Sequence, residues 1–492
     1  MVLANQIYVG KEGLPPVLKN KLIRLAAFQN PEFYKAQAMR FPTYGKSRIV
    51  HCCEDFPKYN GLPIGCLEDT IELLHSLGIK IKIIDERLEE DRINAKFIGA
   101  LRPEQQVAVD ALLKYDTGVL SASTAFGKTV IAAYLIAKRS VNTLILVHLK
   151  GLLYQWIELL NAFLDVSVED IGQIGGGKRK PTNLIDVATI QSLGRKGVVD
   201  DIVARYGHLV VDECHHISAR SFEIVARQCK AKYVTGLSAT VTRKDGHHPI
   251  IFMNCGPVRY KVDDKKQAAA RPLTHKVVVR ETNFKMPASF EADRYTAIQE
   301  IYKSLLRSDE RNQAIVADIM NAIESKRFPV ILTERKEHLE RLKDLLENKI
   351  QNLIVMQGGM GKKQRLAALI ALESLPDDAE KAVLATGRYL GEGFDDERLD
   401  TLFLTLPISW RGTLNQYAGR LHRIHDSKEE VVICDYVDLN VPVLARMFDR
   451  RIKGYRSIGY EIEDDQSRMV VVIPAQTVRK SGLKSHIKKR LQ

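Results

Sequence analysis

Gly127, Lys128 and Thr129 stand directly behind an apolar run, Gly118-Val-Leu-Ser-Ala122, and ahead of a helical pattern. That order points backbone N–H groups and the positive end of a helix at one spot, which suits a phosphate. Lys128 would neutralise the outer phosphates of ATP, and the Thr129 hydroxyl would ligate Mg2+. Thr124, Ala125 and Phe126 complete the loop, although a full phosphate-loop pattern has glycine at position 122, where this chain has alanine. Asp212 and Glu213 close a second apolar run, Leu209-Val-Val211. Ligands gather at the carboxyl ends of parallel strands. Asp212 is therefore expected to hold the magnesium, and Glu213 to orient or deprotonate the attacking water. His215 would lie beside the terminal phosphate and relay to Ser238-Ala-Thr240, a short hinge. Gln105 offers both donor and acceptor to an adenine edge, with Gln106 the competing residue.

Two arginines come from far along the chain, in Gln416-Tyr-Ala-Gly-Arg-Leu-His-Arg423. On a helix, Arg420 and Arg423 would share a face and reach the terminal phosphate. Gln416 would contact the same nucleotide or its water. Structural ion pairing is the bland alternative for one arginine and a weaker one for the pair.

These groups need two α/β frames. From Leu101 to about Val262 apolar runs alternate with helical stretches, as in an open parallel sheet. Asn142–Val147, Asp186–Ala188, Leu209–Val211 and Tyr233–Thr235 are expected strands. Residues 263–461 repeat the style, with strands at Val330–Thr333, Leu353–Val355, Ala382–Ala385, Thr401–Thr405 and Val431–Cys434. Phe284–Arg311 reads as a helical insert ahead of that second sheet, and Lys261–Pro272 as the linker. Residues 1–95 read as a small α+β domain: a strand at Gln6–Val9, helices at Val17–Ala27 and Leu67–Leu77, and strands at Arg48–Cys53 and Ile79–Ile84. Within it, Arg40-Phe-Pro-Thr-Tyr-Gly-Lys-Ser-Arg48 mixes basic and aromatic residues, which suits a sugar-phosphate backbone and bases as well as it suits a packed loop. Residues 462–492 read as a basic tail.

At 492 residues the chain is too long for one core. A net charge of +13 favours a polyanionic partner. No run approaches 18 apolar residues, so no membrane span is expected. The seven cysteines include no Cys-x-x-Cys pair, so neither a zinc site nor a disulfide framework is expected. A cytoplasmic monomer is the simplest setting.

Taken together, the motifs resemble those of the superfamily 2 helicases, in the branch around XPB and UvsW, over about residues 100–440. Thr386-Gly387 and Gly391-Glu-Gly-Phe-Asp395 are similar to that family's fifth motif, which implies that Gly393 and Asp395 join the ATP site and that Thr386 and Gly387 meet nucleic acid. Thr189-Ile-Gln191 and Gly175-Gly-Gly177 resemble strand-contact motifs. Arg243-Lys244-Asp245 follows Ser-Ala-Thr as Arg-Glu-Asp does in the XPB-like branch, with a different middle residue. The N-terminal domain is similar in placement to that branch's DNA-binding domain. The chain also resembles helicase modules found beside primase-like domains in bacterial mobile-element and phage-conflict proteins. The resemblance implies two RecA-like lobes and an ATP-dependent helicase or translocase on single-stranded, forked or branched DNA, with RNA left open and DNA repair or phage defence as the setting. The alternative is an ATP-gated DNA clamp working with a separate nuclease or primase.

Overall fold

The computed structural model describes the chain apart from residues 90–91, 124–125, 196–197, 216–218, 242–244, 288–297, 388–395, 409–410 and 465–492. The described residues divide into two compact units, Met1–Val262 and Asp263–Gln492.

In the first unit, eight strands form one sheet in the order Lys178–Lys180, Ile171–Gly175, Ile185–Thr189, Thr143–Val147, His208–Val211, Tyr233–Ser238, Thr117–Ser121 and Val258–Lys261. Every pairing is parallel except that of the first two strands. The inner strands are buried along their whole length, as Val/Ile/Leu runs covered on both faces should be. Helices Pro103–Leu113, Lys128–Arg139 and Lys150–Phe163 cover one face, contributing Val109, Ile131, Leu135, Leu153 and Leu160 to its core. Ile171–Gly175, absent from the expected strands, also lies in this sheet; its two glycines interrupt the apolar run that marks its neighbours.

Residues 1–89 form a smaller five-stranded sheet with two main helices, Pro16–Leu25 and Leu67–Ser76. The strand expected over Ile79–Ile84 is confined to Ile84–Asp85, which pairs with Val2–Leu3; the residues before it find no partner strand. This part does not hold a core of its own. One apolar cluster runs from Leu3, Ile7 and Leu22 to Val119, Ile250 and Met253. Arg259 grips Glu68 through both terminal nitrogens, at 2.9 and 2.5 Å. The Phe28 ring meets His247 edge-on at 5.8 Å. Gly246 lies so close to Pro31 that a Cβ there would stand 2.7 Å from the proline ring.

The second unit carries seven parallel strands, ordered Leu353–Met356, Ala382–Thr386, Pro329–Thr333, Thr401–Leu404, Glu430–Val437, Thr274–Glu281 and Glu461–Asp464. Three sequence expectations shift here. The sheet begins at Thr274–Glu281, ahead of the helical stretch rather than after it. That stretch resolves into helices Ile298–Arg307 and Asp309–Glu324. Glu461–Asp464, expected to lead into the tail, forms an edge strand, and Asp264–Ala270 in the expected linker is a helix capped by Asp263.

Candidate nucleotide site

Strand order explains why the first-unit residues meet. His208–Val211, Tyr233–Ser238 and Thr117–Ser121 are neighbours in the sheet and run the same way. Their carboxyl ends therefore bring Asp212, Ser238 and Ala122 side by side. The Ala122 N–H donates to the Ser238 carbonyl at 2.9 Å, and the Cys214 N–H to that of Leu237 at 3.0 Å. Ala122 has no left-handed backbone, so the alanine in place of glycine fits without strain.

Gly127 caps the Lys128–Arg139 helix with φ 89° and ψ 43°, a left-handed conformation that favours glycine. A side chain there would also stand 2.5 Å from Gln105 Nε2. Lys128 is 6% exposed. Its Nζ donates to Ala122 O at 3.2 Å and pairs with Glu213 Oε1 at 3.0 Å. Thr129 is the second residue of the helix, where its backbone N–H lacks an intrahelical partner. Thr124 and Ala125 lie outside the described residues.

Asp212 is held from two directions. Trp156 Nε1 donates to its Oδ2 at 2.7 Å, and the Glu213 N–H to its Oδ1 at 2.9 Å. Burial, with the Glu213 carboxylate adjacent, pushes Asp212 up to about 6 against the opposing pull of Lys128 and the indole N–H. Each oxygen keeps a second lone pair. With the Thr129 hydroxyl, this is a hard-oxygen donor set of the kind magnesium takes alongside nucleotide phosphates. Glu213 adopts φ 43°, a sparsely populated conformation for a side-chain-bearing residue. It turns the carboxylate between Lys128 and His215, whose Nδ1 lies 3.3 Å from Glu213 Oε2.

His215 Nδ1 also stands 2.8 Å from Ser238 Oγ. The Ser238 hydroxyl donates its one proton to the Thr240 carbonyl and accepts from the Thr240 N–H. The proton between Ser238 and His215 therefore sits on Nδ1. Lys128, Glu213, His215, Ser238 and Thr240 form one polar chain from the phosphate loop to the expected hinge.

Gln105 is buried, and its amide is turned to the loop itself. Oε1 accepts from the Arg102 N–H at 2.9 Å, and Nε2 donates to Phe126 O at 2.8 Å. Arg102 Nη2 donates to the same carbonyl at 2.6 Å. Phe126, 1% exposed, is part of the apolar core. Gln106 instead bonds Asp110 on the surface.

The expected strand contacts are mixed. Thr189 is buried, with its hydroxyl 2.7 Å from that of Ser192. Gln191 is exposed and donates to His148 O. Arg243, Gly393 and Asp395 lie outside the described residues.

In the second unit, Thr386 ends a buried strand and Gly387 packs against the pair formed by Tyr417 Oη and Glu334 Oε1, 2.8 Å apart. A Cβ at Gly387 would fall inside contact distance of both oxygens. Gln416 is buried in the helix Arg411–Leu421. That helix ends at Leu421, so Arg420 lies in its last turn while Arg423 lies beyond it. The shared helical face expected of the two arginines does not form. Between them, Leu421 and His422 turn inward, and His422 Nε2 lies 2.9 Å from Tyr460 Oη.

Sequence reasoning missed Arg102, Trp156, Glu334 and Tyr417. Trp156 falls at the spacing of Leu153 and Leu160 and reads as plain core. Only the sheet order reveals that its indole edge reaches Asp212.

Residues 98–243 match the family described as Type III restriction enzyme, res subunit. Protein L396 of Acanthamoeba polyphaga mimivirus, whose name designates an ATP-dependent RNA helicase, is 26% identical over 378 residues, covering 75% of this chain and 70% of its own. The DNA 3'-5' translocase XPB2 of Sulfurisphaera tokodaii is 27% identical over 360 residues, covering 67% of this chain and 79% of its own. Among solved structures, S. cerevisiae Dbp5 bound to RNA and ADP BeF3 superposes with a TM-score of 0.52 at 12% identity, over 79% of this chain and 93% of that one. That likeness concerns the fold of paired RecA-like lobes.

Proposed function

We propose that the chain is an ATP-hydrolysing helicase of superfamily 2, a DNA translocase whose first unit binds Mg-ATP at Lys128, Thr129 and Asp212. The observation that carries this reading is the meeting of a loop lysine, two carboxylates and a histidine at the carboxyl ends of three adjacent parallel strands. The phosphates would take the charge of Lys128 and the N–H groups at the start of its helix. Magnesium, when bound, would neutralise charge on the phosphate oxygens. Glu213 orients or deprotonates the attacking water, and His215 passes the state of Glu213 to Ser238 and Thr240. Gln105 shapes the loop through Phe126 and keeps its second amide proton for the adenine edge. Arg420, Arg423 and Gln416 are the groups we assign to the terminal phosphate. Thr386, Gly387, Gln191 and Arg243 contact the strand.

The N-terminal part supplies a further nucleic-acid surface. Between helix Pro31–Ala38 and strand Ile49–His51, Arg40, Phe41, Lys46 and Arg48 are exposed, and Tyr44 is 99% exposed. A fully exposed aromatic ring in a basic loop suits stacking on an unpaired base. The test is ATP turnover at fixed salt with single-stranded, duplex and forked DNA and with RNA, alongside displacement of a labelled strand. Stimulation and displacement by forked DNA support the reading. Turnover without displacement would replace it with the ATP-gated clamp, and stimulation by RNA alone would overturn the choice of DNA.

A further inference from the structure

Lys428 is 7% exposed, yet it makes no ion pair with a carboxylate among the described residues. Its Nζ donates instead to three backbone carbonyls: Leu421 at 2.7 Å, Arg423 at 2.8 Å and Glu397 at 3.0 Å. An ammonium has three protons and no acceptor, so all three are used. Two of these carbonyls flank His422, at the exit of the helix that carries Gln416 and Arg420. The third lies on the separate segment that leads into strand Thr401–Leu404. The Lys428 N–H also closes a turn onto His425 O at 3.0 Å.

Burying an ammonium without a carboxylate is costly for folding. Burial pulls Lys428 down to about 8, against the pull of Asp400, Asp396 and Glu397. A helix end can be satisfied far more cheaply by water or by an exposed lysine. What a buried three-way donor adds is geometry. It locks the backbone at 421 and 423 to that at 397, just where the helix stops and can no longer hold Arg423 by itself.

We propose that Lys428 is a positioning residue for the ATPase: it fixes the chain reversal that presents Arg423, beyond the helix that already holds Arg420. This rests on the reading of Arg423 as a reaction-centre group. Lys428 itself touches no substrate.

The experiment compares steady-state ATP turnover of the full chain with Lys428→Met, Lys428→Arg, Arg423→Ala and the double variant Lys428→Met/Arg423→Ala. Thermal unfolding and equilibrium ATP binding are read on each. Lys428→Met is expected to lower kcat at least 10-fold, with KM for ATP within about twofold of wild type and a folded protein. Lys428→Arg, which keeps charge and donors, is expected to recover part of the loss. In the Arg423→Ala background the same Lys428→Met change should cost less than twofold, because the group it positions is gone. Full loss persisting in that background, or wild-type kcat in Lys428→Met, overturns the proposal. If Lys428→Met does not fold, Lys428→Gln enters the same cycle, and the same coupling decides. Wild-type protein without turnover that depends on Lys128 would overturn the ATPase reading instead.

Discussion

Trp156 Nε1 donates to Asp212 Oδ2 at 2.7 Å, so a core tryptophan orients the carboxylate assigned to magnesium. Because the indole can only donate, it favours the ionised form of Asp212 and opposes the burial that still leaves this group raised to about 6. Trp156→Phe removes that donor and keeps most of the packing. A hydrogen bond to a charged group is worth roughly 1.5–3 kcal/mol. The magnesium concentration for half-maximal turnover should rise about 10-fold, and the acid limb of the pH profile should move upward. Larger losses at pH 6.5 than at pH 8 are the signature; an equal loss at both would assign Trp156 to packing alone.

Lys128→Ala should abolish ATP turnover, since it removes the cation that meets the phosphates and leaves Glu213 without its 3.0 Å partner. DNA binding in the absence of nucleotide should stay within about threefold of wild type by fluorescence anisotropy. Measurable turnover in this variant would sink the phosphate-loop assignment.

Gly387→Ala places a methyl group against both Tyr417 Oη and Glu334 Oε1. Overpacking of this kind costs about 1–3 kcal/mol. Chemical denaturation should show that loss, and adding Tyr417→Phe should return part of it by removing one of the two oxygens. A fully stable Gly387→Ala protein would mean that the three segments separate readily in solution.

Tyr44→Ala should weaken single-stranded DNA binding by about 1–3 kcal/mol if the ring stacks on a base. Replacing Arg40, Lys46 and Arg48 together should instead flatten the salt dependence of binding, by up to about 0.7 in slope for each phosphate deprived of its cation. Unchanged affinity and slope in both variants would leave this loop without a nucleic-acid role.

His338 makes the second unit sensitive to acid. Asn312 Nδ2 donates to Leu306 O, which turns Asn312 Oδ1 toward His338 Nε2 at 3.0 Å. Nε2 therefore carries the ring proton, and Nδ1 accepts from the Thr333 hydroxyl at 3.1 Å. Burial, with Arg311 adjacent, lowers His338 to about 3. An unfolded histidine titrates near 6.5. Between those values the unfolded chain holds the extra proton. Stability is thus intact above pH 6.5 and declines as pH falls, by at most about 1.4 kcal/mol per unit from this one group. Urea melts at pH 7 and 5.5 should show a shallower decline for His338→Leu, even though that variant starts less stable.

Periodicity marked the inner strands, because a buried parallel strand is an unbroken apolar run. It missed Thr274–Glu281, whose basic and polar residues break the run, although the strand is held between two parallel neighbours. Asp212, Glu213 and His215 were legible because they follow a strand's carboxyl end, and Lys128 because it opens a helix directly behind a glycine. Arg423 was legible as a residue but not in its setting, since nothing local announces that the helix stops at Leu421. Trp156 and Lys428 were silent. Their role depends on what they meet across the fold, and an apolar spacing or a lone lysine says nothing of that.

The Lys128–Glu213 pair also bears on how ATP would be spent. Lys128 and the carboxylate we assign to water activation stand 3.0 Å apart, so a phosphate group that takes the charge of the lysine competes with Glu213 for it. Binding of the fuel and release of the base would then be a single event.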